Sequence, residues 1–557
     1  MTRHRARSNS TFDYIIVGAG AAGCILANRL SEDPTTSVLL IEAGGRDSHV
    51  MHLVPKGFYF TLSNPNYAKT FATTAFADGH VERLPRGRVL GGSTTINGLV
   101  WNRGWAPYYD AWEKAGNPGW NWQRFLTAFR EIERHQLGAS DVRGGEGPVD
   151  IEIARPPEET CEAVIAAFAG HGVGFREDMN DSGEERVSYV ASNTRRGTRM
   201  SAARAFLRPI RSRRNLTVAT HTEAEELTWD GDRVTGVSCQ FRESTVRYSA
   251  RREVLVCGGA FDSPLLLERS GIGNPEVLTA AGVPVRVASP RVGENFKEHR
   301  GILLQYRLAG VRGYNSSASS RLRYLWTGFK YLFSRRGVIA HGGYALSAIY
   351  KSDPDSEHPD TQAFFTPIST SAVNPMSGRM VVDKEPGAKF VALPMYPTSA
   401  GSLHITGPHL DDPPRLEPNF LSTDEDRRML VKALHKAREV MATGPIAEHV
   451  VEELQPGPQL VADDDIIEYG INSGNAGAHG LGTCAMGPDP DDVVDASLKV
   501  RGTRGLRVVD ASVFRDQPSG NNNAPTMALA WIAADIIEAE ASAAPGARPS
   551  TARHSTS

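Results

Sequence analysis

Cysteine is scarce and poorly placed for any structural use. Cys24, Cys161, Cys239, Cys257 and Cys484 are odd in number, widely scattered and never spaced CxxC, which argues against both a disulfide framework and a zinc site. Long apolar runs are also missing, so no segment reads as a membrane span. Neither sign of charge dominates: 61 Lys and Arg stand against 64 Asp and Glu, with a pI near 6.6. That balance offers no basic footprint for nucleic acid and no polybasic membrane patch. Residues 1–10 are basic and polar, and no apolar stretch of the kind a secretory signal needs follows them. The expectation is a cytoplasmic protein that handles a small molecule. Its 557 residues exceed what one hydrophobic core sustains, so two or more domains are expected.

The first organised element lies near the N-terminus. Residues 14–17 are apolar and β-branched, and residues 18–23 read GAGAAG. An apolar-periodic stretch follows at 24–30, then a second apolar strand at 38–41 that closes on Glu42. Strand, glycine turn, helix and strand make a βαβ unit. Gly18 permits the tight turn, Gly20 lets the backbone approach a pyrophosphate, and Gly23 lets helix and strand pack closely. The helix start at Ala21 and Ala22 presents N–H groups to phosphate. Glu42, followed by Ala43, stands where a carboxylate can accept from ribose hydroxyls. This is a Rossmann-like dinucleotide site, and the fingerprint alone does not choose between FAD and NAD.

The rest of the chain is read more coarsely. Residues 56–119 are rich in Gly, Pro, Asn and aromatics with little periodicity, a long irregular segment of the kind that is usually functional. Short strands are expected at 215–218, 224–228, 233–239, 254–256 and 506–509. Helices are expected at 423–443 and 524–540. Residues 301–464 alternate in the manner of strands and form most of a second domain. The fold class is therefore α/β: an FAD- or NAD-binding domain over 10–155, 195–300 and 470–542, and a substrate-binding domain with an antiparallel sheet over 156–194 and 301–469. The Ala/Ser/Pro/Arg-rich tail at 543–557 reads as disordered.

Six further blocks carry a resemblance. Residues 87–100 read GRVLGGSTTINGLV, 259–273 GAFDSPLLLERSGIG, 292–299 VGENFKEH, 479–487 HGLGTCAMG, 505–512 GLRVVDAS and 519–526 SGNNNAPT. In this order they resemble the signatures of the glucose–methanol–choline (GMC) oxidoreductases over nearly the whole chain. The resemblance implies FAD. It implies that Gly91, Gly92, Ser93, Asn97, Gly98, Leu99 and Val100 approach the isoalloxazine and pyrophosphate, and that Ala224 offers backbone to the adenine. Asp510 and Ala511 would lie beside the ribityl chain, with Asn522, Asn523, Ala524 and Pro525 completing the cofactor site. Some members attach the flavin through a histidine where this chain has Ile96, so a non-covalent FAD is implied here. A nicotinamide enzyme would not need residues 505–526 to return to the cofactor.

Oxidising an alcohol moves a hydride from carbon to flavin N5 and a proton from the hydroxyl to a base that titrates near neutrality, which favours histidine. By resemblance His479 is that base and Asn523 holds the partner position, gripping the substrate oxygen. The electron acceptor is left open between oxygen and another species, and so is the alcohol. A hydroxynitrile lyase or light-driven fatty-acid decarboxylase on the same scaffold is the alternative. His299 reads as structural in the cofactor domain, and His404 as a surface or sheet polar residue of the second domain. Residues 463–465 read as a solvated helix start, with no metal site. Residues 211–214 and 335–336 are surface basic runs. Tyr344, Phe364, Phe365, Met395 and Tyr396 are candidate pocket lining.

Overall fold

The computed structural model describes residues 8–76, 79–155, 158–318, 320–370 and 381–543. The expected disordered tail lies outside these residues from 544 onward, as do residues 1–7 of the basic start.

The βαβ unit forms as the pattern predicts. β1 (Ser10–Val17) runs into the glycine turn, α1 (Ala21–Leu30) follows, and β2 (Val38–Glu42) returns parallel to β1. α1 is apolar nearly all round because it is covered on all sides, and even Arg29 is buried. The Arg29 guanidinium is held at 2.7 Å by Asp535 and 3.3 Å by Glu538, over the ring of Trp531.

β3 (Leu216–Thr220), β4 (Thr222–Asp230), β5 (Arg233–Phe241), β6 (Ser244–Val256) and β7 (Leu506–Val508) complete a seven-stranded sheet. β3, β2, β1, β6 and β7 lie parallel in that spatial order, while β4, β5 and the first half of β6 form an antiparallel meander. Sequence reasoning found only the end of β6. Residues 244–253 are mostly polar, charged and exposed, and the short alternation of Val246, Tyr248 and Ala250, which packs on the core, was overlooked among them.

Register then decides where the chemistry falls. Val17 pairs with Ile41 and with Val256, and Val256 with Val508. The residues that follow, Gly18, Glu42, Cys257 and Val509 with Asp510, therefore emerge side by side at the carboxyl ends of the parallel strands. Open α/β sheets bind ligands in that crevice.

The second sheet has eight strands. In spatial order they are Val450–Gln455, Arg300–Leu308, Gly387–Pro394, Thr361–Thr366, Leu346–Tyr350, Arg186–Tyr189 and Gly174–Phe175, with Asn475–Ala476 paired to the start of Arg300–Leu308. All neighbours are antiparallel except the last pair of the main path, Arg186–Tyr189 with Gly174–Phe175. The helix Asp424–Met441 is capped by the Thr423 side chain accepting from the Asp426 N–H at 3.3 Å, and Asp463–Ser473 starts at the acidic triplet. One helix, Arg321–Ser334, was not legible in the alternating texture of this region.

Candidate active site

The glycine turn is built for close approach. Gly18 has φ +102°, and a Cβ there would meet the Cys257 carbonyl oxygen at 2.4 Å. A Cβ on Gly23 would sit 1.9 Å from the Gly18 carbonyl oxygen, so only glycine lets α1 start there. Gly20 differs: a Cβ on it meets nothing within 4 Å, and no side chain caps the helix. That open, uncapped helix start fits a pyrophosphate.

Residues 87–93 lie across this turn. Gly91 donates its N–H to Ala19 O at 2.8 Å, and a Cβ on Gly92 would come within 2.8 Å of Gly20 Cα. Leu90 N–H donates to Gly45 O at 3.0 Å, which joins the same loop to the end of β2. Ser93 Oγ accepts from Gly87 N–H at 3.1 Å. Glu42 is buried, its two carboxylate oxygens accepting from Ala19 N–H at 3.0 Å and Gly44 N–H at 2.8 Å. Burial pushes its pKa up to about 7 against the pull of those donors. Ala43 is half-buried beside it, and Ala224 lies in the irregular register of β4.

Asp510 is buried and pins a second open turn. One oxygen accepts from Gly259 N–H at 2.8 Å and Ser263 Oγ–H at 2.6 Å, the other from Ser512 N–H at 2.8 Å. Gly259 has φ +76° with nothing within 4 Å of a Cβ. Ala511 begins the short turn Ala511–Val513.

The segment 94–100 is clamped from behind by a residue that sequence reasoning missed. Arg199, fully buried, donates to Thr94 O at 3.2 Å, Asn97 Oδ1 at 2.9 Å and Pro55 O at 2.8 Å. Asn97 Oδ1 also accepts from Leu99 N–H at 3.2 Å, and Leu99 takes φ +69°. Gly98 is half-buried against Gly343, Val100 bridges to Ser192, and Ile96 is buried with Ala68 and Val89.

Strand pairing brings the histidines together. Arg300–Leu308 pairs with Asn475–Ala476, so residues 297–301 and 475–481 run antiparallel; Lys297 and Leu481 exchange two backbone bonds, and Gly477 N–H donates to His299 O at 2.9 Å. Between them Ala478 takes φ +62°, a conformation that non-glycine residues rarely adopt. His299 Nδ1 lies 2.9 Å from His479 Nδ1. Glu298 Oε1 accepts from both backbone N–H groups, at 3.0 Å for His299 and 2.7 Å for His479, and its Oε2 pairs with Arg86 at 3.2 Å. Among the described residues Glu298, His299 and His479 form the one cluster with metal-ligand geometry. Its ligand atoms are already engaged with one another and with Arg86, so it is a hydrogen-bond relay.

The relay sets the tautomers. His299 Nε2 lies 3.0 Å from Met395 O, which can only accept, so that nitrogen carries hydrogen. Burial holds the His299 pKa down to about 4, leaving its Nδ1 bare, and His479 Nδ1 must donate to it. His479 Nε2 is then the bare nitrogen, accepting from Asn521 Nδ2–H at 2.7 Å. Burial, followed by His299 and Arg86, holds the His479 pKa well below the usual histidine value. The result is a buried neutral imidazole with its lone pair on Nε2.

Asn521 is the second residue that the sequence did not single out; three consecutive asparagines hide which one faces the imidazole. Asn522 Nδ2–H and Gln517 Nε2–H both donate to His479 O, at 2.8 and 3.1 Å. Asn523 opens α3 (Asn523–Ala543) and, among the described residues, its Nδ2 is buried without a partner. Ala524 and Pro525 are buried in that helix.

Two readings need correction. His299 is more than a structural residue of the cofactor domain, because it orients His479. His404 is neither a surface group nor part of the eight-stranded sheet. Its strand Ser402–His404 pairs with Arg415–Glu417, and its buried ring lies 2.7 Å from Glu268 in α2 (Gly259–Arg269) and 3.1 Å from Glu294. Burial opposes its charge, but the two carboxylates prevail and raise its pKa to about 9. Since the folded value exceeds the unfolded one, this stabilisation is complete below about pH 6.5 and is lost as pH rises through about 9. Denaturant titrations should therefore show stability falling between those limits, and His404→Gln should flatten that fall. An unchanged slope would remove the pair from the balance.

Of the candidate lining residues, Tyr344 stacks on Phe364 at 4.3 Å, Met395 and Tyr396 border a small cavity with Ser519 and Trp105, and Phe365 is buried in its sheet.

A dinucleotide crevice with two open glycine turns, together with a neutral imidazole held by a carboxamide, defines a nucleotide-cofactor enzyme with a proton-accepting site. Profiles described as GMC oxidoreductase match residues 12–300 and 397–530, and the chain belongs to that family. The mitochondrial choline dehydrogenase of Homo sapiens is 36% identical over 550 residues, covering 96% of this chain and 91% of the relative. The alcohol dehydrogenase [acceptor] of Pseudomonas putida is 32% identical over 531 residues, covering 94% and 95%. The crystal structure of pyridoxine 4-oxidase from Mesorbium loti superposes with TM-score 0.84 at 30% identity, over 95% of this chain and 99% of that one. The non-redox alternative finds no support among them.

Proposed function

We propose that the chain oxidises its alcohol by delivering the hydroxyl proton to His479 Nε2 while the carbinol carbon faces the flavin. Residues 10–155, 195–300 and 470–542 would hold FAD, and residues 156–194 and 301–469 would cover the substrate. The distribution of strands between the seven- and eight-stranded sheets supports this division. When bound, FAD supplies the hydride acceptor at N5. Gly20, Gly91, Gly92 and Gly259 would lie against its phosphates, with Gly18 and Gly23 shaping the turn, Glu42 against the ribose, and residues 97–100 against the ring system. With Ile96 in place of a tethering histidine, FAD would be held without a covalent bond.

The single observation that carries the mechanism is the bare, buried Nε2 of His479 at 2.7 Å from Asn521 Nδ2; the Asn523 amide, two residues on, is buried without a partner among the described residues. A substrate hydroxyl would donate to that nitrogen in place of Asn521, and Asn523 Nδ2–H would donate to the alcohol oxygen. Burial keeps His479 neutral, so its lone pair is free to accept at neutral pH, although the same burial weakens it as a base. Five buried, unpaired cysteines suit work in a reducing cytoplasm. The acceptor that reoxidises the flavin, oxygen or another species, is left open.

A panel of primary alcohols added to the holoenzyme under argon should bleach the flavin bands, and admitting air then separates an oxidase from a dehydrogenase. The pH profile gives a second check. kcat/KM should hold as pH falls through 6.5, because His479 protonates only well below its ordinary value. A limb at the ordinary histidine pKa would place the base elsewhere.

A further inference from the structure

Tyr331, buried, fastens the helix Arg321–Ser334 to the protein by donating its hydroxyl to Gly197 O at 2.8 Å. The opposite face points outward. Leu322 is 81% exposed and Phe333 77%, and Leu325, Trp326, Phe329 and Leu332 are all more than half exposed. Their spacing of three, four and seven residues puts them on one stripe. Trp326 stacks on Phe329 at 5.7 Å, and Phe329 meets Phe333 at 4.8 Å. A contiguous apolar stripe of this kind marks an interaction surface.

Charge around it identifies the partner. The chain has no Asp or Glu between Glu298 and Asp353, nor between Glu185 and Glu223. These two stretches meet at the helix C-terminus, where a Cβ on Gly197 would lie 2.0 Å from Arg335 O. Beside that junction a surface cleft of about 520 Å³ is lined by Arg195, Arg204, Arg208 and Arg211. Among the described residues Arg204, Arg208, Arg211, Lys330, Arg335 and Arg336 form no ion pair with a carboxylate, although Asp47 acts on Arg204 and Arg208 from farther off. The near-zero net charge of the whole chain averages over this face and conceals it.

We propose that this face docks on an anionic phospholipid surface, with the apolar stripe of Arg321–Ser334 at the level of the acyl chains and the flanking arginines on lipid phosphates. An amphipathic helix with Trp, Phe and Leu on one side and Lys and Arg around it lies in the interfacial plane. A second copy of the chain is a poorer fit, because a two-fold contact would set the basic patch against itself. The docking needs no spanning segment, and among the described residues no helix is long and apolar enough to cross a membrane.

The test is flotation of the full-length holoenzyme with vesicles of phosphatidylglycerol and phosphatidylcholine, against phosphatidylcholine alone, at low and high salt. The expected result is binding to the anionic vesicles at least tenfold above the neutral ones, weakened by salt. Leu325→Ser/Trp326→Ser/Phe329→Ser should abolish flotation while the flavin spectrum and turnover of a soluble alcohol stay as in the wild type. Arg335→Glu/Arg336→Glu, which leaves the apolar stripe intact, should lose the preference for anionic lipid. Three outcomes would overturn the proposal: no flotation at low salt, equal binding to both vesicles, or a wild-type dimer that the triple substitution converts to monomer.

Discussion

His479→Ala should keep FAD bound and slow anaerobic bleaching by an alcohol roughly 10²–10⁴-fold, the contribution of a positioned general base. FAD retention is expected because the imidazole touches His299 and Asn521 and takes no part in the glycine turns. The loss should be large because nothing nearby can replace the nitrogen. The substitution frees His299 Nδ1, but that nitrogen sits on the far side of the lost ring and burial holds its pKa down to about 4. Asn521 and Asn523 are amides that do not accept a proton at these pH values, and Glu298 is engaged by backbone N–H and Arg86. Stopped-flow reduction measures the step directly, apart from reoxidation. Bleaching at the wild-type rate would remove His479 from the reaction.

The second large effect concerns the turn, where two neighbouring glycines should fail in different ways. A methyl at position 20 meets no protein atom within 4 Å. Gly20→Ala should therefore fold normally and lose FAD affinity by about tenfold or more, equivalent to about 1.4 kcal/mol, since the methyl stands where phosphate approaches. A methyl at position 23 would sit 1.9 Å from the Gly18 carbonyl oxygen and 3.3 Å from Ile16. Gly23→Ala should lose fold stability by about 1–3 kcal/mol, as overpacking does, and emerge without the yellow cofactor. Thermal melts with and without added FAD, together with flavin titration, separate the two. If Gly20→Ala binds FAD like the wild type, the pyrophosphate does not lie over that turn.

Much of this was legible in the residues because it depends on near neighbours in the chain. The GAGAAG turn, β1, β2 and Glu42 occupy some thirty residues; Gly18 and Gly23 answer to clashes within that span or just across the sheet, and Gly20 to open space. The helix Asp424–Met441 was marked by its run of charged residues, within about two residues of the bounds read from 423 to 443. By contrast, Ser244–Val256 was half missed because charged residues crowd the short alternation of Val246, Tyr248 and Ala250 in its first ten positions. The helix Arg321–Ser334 was missed although its apolar residues keep helical spacing, because the region was read from the strands around it.

Sequence by itself determined the dinucleotide-binding turn, since glycine spacing is a local, one-dimensional property, and pointed to His479 through its resemblance to a family motif. Which asparagine meets that imidazole, which nitrogen carries its hydrogen, and that His299 and Glu298 orient it were decided only in three dimensions. The pairing of residues 300–301 with 475–476 joins segments about 180 residues apart, and a tautomer is set by partners that no stretch of chain contains.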